Sequence, residues 1–262
     1  MKSILVALFG EFRKGLLISW TYKVNQIISL LTLGFIFFIV VFFMGGGKLD
    51  PDRIASSLVG YLVWMYVAAA LGDLTYGLRG EISAGTLEQL AMSPTPLGIL
   101  LIGRVIANFL VTTVQVILMG FIVLSLIHVR ISIPLSAVLA LLITFIGVLG
   151  FGYIIAGAML LFKQIEALNN LFNNALAFFN GAFLPISSMP AWMASISMLL
   201  PSTLGIIVIR SITLEGKTLL ETWNNGDLVA LIINSVLYLL IGLGIYTFCE
   251  RVAKNRGSLG QY

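Results

Sequence analysis

SLLTLGFIFFIVVFFM, residues 29–44, carries no charged side chain, and the nearest charges are Lys23 and Lys48. A helix crosses the hydrocarbon core of a bilayer in about 20 residues, because each residue rises about 1.5 Å. The whole chain of 262 residues is 59% hydrophobic and only 10% charged. A soluble domain is about 25% charged. The mean hydropathy of +1.06 agrees, so the sequence predicts an all-α integral membrane protein.

Charge-free runs of similar length recur along the chain. They predict one transmembrane domain over residues 1–262 with six spans, at 24–44, 54–76, 105–127, 135–161, 168–184 and 228–248. Before the first span, residues 1–22 place apolar side chains at helical spacing, which predicts an amphipathic helix in the headgroup region.

The uncharged stretch 167–209 leaves the span count open. It is too long for one span and barely long enough for two, and Pro185, Pro190 and Pro201 interrupt it. Six spans place ten Lys and Arg residues inside and five outside, as the positive-inside rule requires, whereas seven would put the basic C-terminal tail outside. We therefore expect six spans, cytoplasmic termini, and an external re-entrant helical hairpin at 185–209 before the last span.

Residues 77–96 then form a cytoplasmic loop. Thr86 and Gln89 have the spacing of a capping box, and Pro94 and Pro96 prevent the helix from continuing. Such a two-turn helix is not stable alone in water. It needs a surface to lie against, either lipid headgroups or another protein.

Two segments of the chain resemble the type-2 ABC transporter permeases, the membrane subunits of many bacterial exporters. The first, GEISAGTLEQLAMSPTPLGILLIGRVI, begins at Gly80, and the second, FLPISSMPAWMASISMLLPSTLGIIVIRSI, begins at Phe183. The first match rests on Glu81, Gly85, Thr86, Leu87, Glu88, Leu90, Met92, Ser93 and Pro94. The second rests on Pro185, Pro190, Trp192, Pro201 and Arg210.

The resemblance implies a coupling helix at about 86–92 that docks on a separate nucleotide-binding ATPase subunit, with ATP and Mg bound by that subunit. It also implies two ATPase copies, a second permease copy (identical or similar), and a place in the bacterial inner membrane. The Gly-Thr-Leu-Glu pattern looks most like the drug and antibiotic exporter branch. The apolar spans suit a hydrophobic or amphipathic cargo such as a drug, a lipid or a lipid-linked glycan.

Other polar residues allow two interpretations each. Asp73, Arg79 and Arg104 are either interfacial anchors or supports of the loop, with an ion pair between Asp73 and Arg104 as the sharper hypothesis. Asn169, Asn173 and Asn180 share a face of the fifth span, where amides either join helices or line a translocation path. Gly147, Gly150, Gly152 and Gly157 favour close packing of the fourth span.

Several function classes find little support. EGKT at 215–218 lacks the first glycine of a phosphate-binding loop, because Ser211 stands there, so we expect no ATPase site and no enzyme activity in this chain. One Cys and one His cannot assemble a metal site, and we expect no nucleic-acid partner. The alternative function is an ion-gradient-driven secondary transporter or channel without an ATPase, although the spans offer almost no acidic side chains for a proton relay.

Overall fold

The computed structural model describes residues 2–48, 50–86, 89–90, 92, 96–129, 131–162 and 166–255, and in these ranges the regular structure is helical. The helices are α1 (Lys2–Thr21), α2 (Lys23–Met44), α3 (Pro51–Ser83), α4 (Leu97–Ile127), α5 (Leu135–Phe162), α6 (Glu166–Phe179), α7 (Ala191–Leu199), α8 (Thr203–Thr213), α9 (Leu219–Asn224) and α10 (Asp227–Asn255), with a 3₁₀ turn at Ile186–Ser188.

Five helices are long and apolar enough to cross a membrane: α2, α3, α4, α5 and α10. The pair α7 and α8 meets the same test as one unit but bends by 98° at the break between them. Pro201 lies in that break, where its missing N–H and fixed φ prevent one helix from running into the next. The described chain thus has five candidate spans, or six if the bent pair counts as one.

Helix α3 is the centre of the bundle and packs against α4, α5, α6 and α8. Its start has a clear chemical cause, since Asp50 accepts a hydrogen bond from the Asp52 N–H and Pro51 occupies the first helical position. Leu71, Leu74 and Leu78 on α3 are fully buried in the core at the cytoplasm-facing end of the predicted topology. We call this end the Arg104 end, after the arginine that lies there.

Helices α5 and α10 approach each other closely because glycines meet at their contact. A Cβ placed on Gly242 would lie 1.9 Å from the carbonyl oxygen of Gly150, and one on Gly147 would lie 2.9 Å from Ser235 Oγ. Gly157 faces Tyr246 in the same way, while Gly152 faces Leu74 of α3. The predicted close packing of these four glycines is confirmed.

Two segments differ from the sequence-based expectation. Residues 77–83, expected in a loop, are the last turns of α3, because Leu78 and Ile82 remain buried against the core and the helix ends only near Gly85, whose φ is +68°. The span expected at 168–184 is occupied by α6, whose 14 residues rise about 21 Å, less than the thickness of a hydrocarbon core.

Asn180 and Gly181 explain where α6 ends. The Asn180 side-chain oxygen accepts a hydrogen bond of 2.9 Å from the Ala182 N–H, and Gly181 has a φ of +82°. Both features turn the chain away from the helix axis and lead it into the 3₁₀ turn and the bent pair α7–α8.

Candidate coupling site

Arg104, near the start of α4, connects three helices at the Arg104 end. Its Nε donates to Glu11 Oε2 of α1 at 2.5 Å, and its Nη2 donates to Glu81 Oε1 near the end of α3. Its Nη1 also lies 3.4 Å from the Gly77 carbonyl oxygen. The side chains of Arg104, Glu11 and Glu81 are only 17%, 14% and 15% exposed. One guanidinium thus pairs with two shielded carboxylates.

Glu81 extends this network to the loop after α3. Its second carboxylate oxygen accepts a hydrogen bond from the Thr86 hydroxyl, and its Oε1 lies 3.7 Å from Lys14 Nζ. The Thr86 N–H also donates to the Glu81 carbonyl at 3.0 Å. We name Glu11, Lys14, Glu81, Thr86 and Arg104 the anchor cluster. It fixes the start of the loop to α1, α3 and α4 together.

Beyond Thr86 the structure describes residues 89–90 and 92 of the loop. The Leu90 N–H donates to the Thr86 carbonyl at 3.0 Å, which is the spacing of one helical turn. Leu90 packs against the core at the Arg104 end, whereas Met92 is 79% exposed. Of the described loop residues, Leu90 therefore rests on the bundle and Met92 faces outward.

The residues of the first sequence motif divide into two groups. Glu81, Gly85, Thr86, Leu90 and Met92 are placed as described above, and the capping box with Gln89 stays a prediction. The remaining four lie outside the described residues: Leu87, Glu88, Ser93 and Pro94.

The hypothesis of an ion pair between Asp73 and Arg104 is replaced by a different pairing. Arg104 bonds Glu11 and Glu81, while Asp73 shares a hydrogen bond with Asn108 one turn further along α4 and interacts with Arg104 only electrostatically. Glu81 lies two helical turns beyond Asp73, which brings its carboxylate closer to the guanidinium. Arg79 is exposed on α3.

Glu11 and Lys14 are the members that the sequence reasoning missed. Glu11 interrupts the apolar positions of α1 between Leu8 and Gly15, and these positions face α4. An acidic residue on the packed side of an amphipathic helix needs a buried partner. That signal was available in the sequence, although it could not identify Arg104 as the partner.

The asparagines of α6 have separate roles. Asn180 is fully buried, and its Nδ2 donates to Ser202 Oγ at 3.3 Å, so it joins the end of α6 to the break between α7 and α8. Asn173 is half-buried, and the side chain of Asn169 lies outside the described part. Asn170 is exposed and accepts a hydrogen bond of 2.6 Å from the Tyr76 hydroxyl.

Arg210 anchors the segment of the second motif. Its Nε donates to the Ser56 carbonyl of α3 and its Nη2 to the Ala182 carbonyl, both at 2.9 Å. Pro185 and Pro190 precede the 3₁₀ turn and α7, where proline's fixed φ suits a helix start. Trp192 is exposed and lies edge to face with Phe179, at 6.4 Å between ring centroids.

Within the part of the chain that the structure describes, no three His, Cys, Asp or Glu side chains come together in a way that could hold a metal ion. The charged groups of the anchor cluster are arranged for structural pairing, since each carboxylate is engaged by a cation or a hydroxyl.

The fold and the anchor cluster define a class: a multi-pass helical membrane protein in which the start of the loop after α3 is bonded to one end of the bundle. Comparison with known families then identifies which one. The family model described as ABC-2 type transporter matches residues 74–214, more than half of the chain, and this protein belongs to that family. The match begins at Leu74 on α3 and ends at Leu214 after α8, so it includes the loop and the bent pair. No curated protein matches the sequence.

Proposed function

We propose that this chain is the membrane subunit of an ATP-driven exporter and that the loop after α3 transmits force from a separate ATPase subunit. The family is that of the membrane component of ABC transporters. The single observation that supports the site is the anchor cluster. It ties the start of the loop to three helices through shielded charge pairs, while Met92 beyond it is exposed.

A loop that transmits movement must be firmly attached to the helix bundle at one end. At the other end it must offer an exposed surface to its partner. A partner that moves Thr86 also displaces Glu81, and through Arg104 it moves α1 and α4 as well. Nucleotide would act by shifting the ATPase pair between arrangements that have different affinities for the two positions of this loop. In this proposal ATP and Mg bind to two copies of the partner.

The EGKT turn at residues 215–218 makes contacts within its own segment. Lys217 pairs with Glu215 at 2.7 Å, and the Thr218 hydroxyl accepts a hydrogen bond from the Glu221 N–H at the start of α9. The lysine and threonine of EGKT are thus used locally, in a turn at the end of the bundle opposite Arg104.

A second permease copy would complete the path. Asn170 and Asn174 are exposed on α6, which contacts its own chain mainly through α3 and α7. Amide side chains are unfavourable in lipid unless they form hydrogen bonds with protein or water. We propose that the α6 face meets the same face of an identical or similar subunit and that the two enclose the translocation path.

The cargo in this proposal is hydrophobic or amphipathic: a drug, a lipid or a lipid-linked glycan. A cavity of about 320 Å³ between α3, α4 and α5 supports it, because its walls are almost wholly apolar. The polar groups in its wall include the Tyr66 hydroxyl, which donates to Thr113 Oγ1 at 3.0 Å. The drug and antibiotic exporter branch remains a proposal that rests on the resemblance of the first motif.

The proposed setting is the inner membrane, with both termini and the anchor cluster in the cytoplasm. The segment from Pro185 to Ile209 would then form an external re-entrant hairpin. Its 98° bend and its attachment to α3 through Arg210 support this arrangement, because polar backbone at membrane depth must be covered by protein.

Co-purification tests the proposal. The tagged chain, extracted in mild detergent from its native host, is expected to bring down a nucleotide-binding subunit, and Glu81→Gln is expected to lower both the recovered subunit and substrate-stimulated ATP hydrolysis. Glu221→Gln removes one carboxylate at the opposite end and serves as the matched control. Transport by the purified chain alone, driven by an ion gradient, would establish the alternative of a secondary transporter.

A further inference from the structure

One side of α1 carries a shallow groove of about 520 Å³ that the rest of the described chain leaves open. Its lining includes Arg13, Lys14, Leu17, Ile18 and Tyr22. These residues recur three to four apart, so they form one stripe along the helix. The stripe therefore combines two cations at one end with apolar side chains at the other.

The opposite side of α1 is fixed against α4. A Cβ on Gly15 would lie 2.7 Å from the Cβ of Ala107, and one on Gly103 would lie 3.1 Å from the Leu8 carbonyl. Glu11 on the same side bonds Arg104. Because these contacts orient the helix, most of the stripe faces away from α4, and Lys14 lies at its edge, 3.7 Å from Glu81.

The groove ends where a candidate membrane span begins. Helix α1 stops at Thr21 and α2 starts at Lys23. Lys23 Nζ lies 5.6 Å from the centre of the Trp20 ring, and Trp20 is 74% exposed. A Trp beside a Lys at the end of a span is typical of the membrane–water interface. The apolar end of the stripe therefore lies at the level where acyl chains begin.

We infer that this groove binds an anionic phospholipid, with its phosphate between Arg13 and Lys14 and its acyl chain along Leu17, Ile18 and Tyr22. The lining contains no acidic side chain that would repel a phosphate. The Arg13 side chain is exposed, and Lys14 is half-exposed with its ammonium 3.7 Å from Glu81. Both cations can therefore reach a headgroup, and charge complementarity selects an anionic over a zwitterionic one.

Occupancy of the groove would also act on the anchor cluster. Lys14 belongs to both, and Glu11 lies between Gly10 and Arg13 of the groove lining, on the packed side of the same helix. A lipid that holds α1 in the interface thus helps to hold Glu11 against Arg104. This consequence for coupling rests on the proposed exporter function, whereas lipid binding itself does not.

Quenching by brominated lipid measures the binding directly. The full chain is reconstituted in phosphatidylcholine vesicles that contain equal fractions of dibrominated phosphatidylglycerol or dibrominated phosphatidylcholine, and the Trp20 contribution is the difference from Trp20→Phe. Brominated phosphatidylglycerol is expected to quench Trp20 more strongly. Arg13→Gln is expected to lower the relative affinity about fivefold, as one basic residue near an anionic surface predicts, and Arg13→Lys is expected to retain it.

Arg251→Gln is the matched control, because it removes one exposed arginine from the last helix at the same end of the bundle. It should leave the preference unchanged. Equal quenching by the two lipids, or the same loss in Arg251→Gln as in Arg13→Gln, would overturn the inference. Release of the excess quenching by millimolar inorganic phosphate would also overturn it, since the groove would then hold free anions and not lipid.

Discussion

At the scale of single residues, Arg104 is the side chain on which the anchor cluster depends most. It satisfies two carboxylates from helices that are far apart in sequence, and all three side chains are largely shielded from solvent. Shielded charges of this kind are strongly dependent on one another, because removal of one partner leaves the others desolvated and unpaired. The start of the loop thus depends on a group 18 residues further along the chain.

Arg104→Gln should therefore lower the stability of the bundle by about 2–3 kcal/mol, somewhat less than a fully buried pair because the groups retain some solvent exposure. Thermal unfolding in detergent measures this. Arg53→Gln is the control, since Arg53 lies 3.5 Å from Asp50 but is 72% exposed, and an exposed pair contributes at most about 1 kcal/mol.

A triple variant, Glu11→Gln, Glu81→Gln and Arg104→Gln, should recover most of the stability, since the one charge that loses its partner, Lys14, is 52% exposed. If the triple variant were as unstable as Arg104→Gln alone, the charge pairing would not be what holds these helices together.

At the scale of elements, the α5–α10 contact is the tightest in the described bundle, and it depends on the absence of side chains. Gly242 meets the Gly150 carbonyl, whereas Gly244, two residues later on the same helix, has no atom within 4 Å of an added Cβ. The two positions share one helix and one residue type but differ in what faces them.

Gly242→Ala should separate α5 from α10 and destabilise the protein by at least about 1–3 kcal/mol, because the backbone it meets cannot move aside as a side chain can. Gly244→Ala should be neutral or slightly stabilising, since alanine favours a helix. Denaturation of the two variants side by side gives the comparison. Equal stability of both would contradict the contact.

The short helix α9 allows a prediction on pH. The Thr218 N–H donates to Glu221 Oε2 at 2.7 Å and the Thr218 hydroxyl lies 3.1 Å from the same oxygen, which together lower the pKa of Glu221. A lowered folded-state pKa means that the cap stabilises α9 fully above the unfolded pKa of about 4.3 and is lost as the pH falls through the folded value.

Amide exchange in α9, corrected for its intrinsic pH dependence, should therefore lose protection as the pH is lowered from 6 towards 3. Glu221→Gln can keep the capping geometry without a titrating group, so its protection should be independent of pH. A pH dependence that persists in this variant would assign the effect to another group.

The elements also show what sequence reasoning can reach. Runs of uncharged residues sufficed to predict helices over most of the spans, because length and hydropathy are local properties. The end of α6 was harder to predict from the sequence, because it depends on hydrogen bonds of Asn180 with Ala182 and with Ser202, which is distant along the chain. The anchor cluster could be predicted only in part. The sequence singled out Glu81, Thr86 and Arg104, but the pairing with Glu11 depends on how α1 packs against α4.

At the scale of the whole molecule, this chain supplies one of the two membrane subunits of the exporter that we propose. Its α6 face carries exposed amides, and Met92 of its loop is exposed at the Arg104 end. Both surfaces are suited to other subunits, one in the membrane plane and one at the bundle's end.

A second copy at the α6 face should allow cross-linking. Asn174→Cys is expected to form a disulfide-linked dimer in oxidised membranes, since the position is exposed and a symmetric contact brings identical residues together. Leu240→Cys, which is also exposed but lies on α10, is the control, and the native Cys249 is buried. A dimer formed through position 240 and not through 174 would place the subunit contact on another face.

The most direct test of the central claim is a photo-cross-linker at position 92, the exposed residue beyond the anchor cluster, compared with one at Trp223, which is 52% exposed at the opposite end. We expect position 92 to capture a nucleotide-binding subunit in native membranes, with a yield that changes when ATP is added, and position 223 to capture none. Capture at 223 but not at 92 would contradict the account.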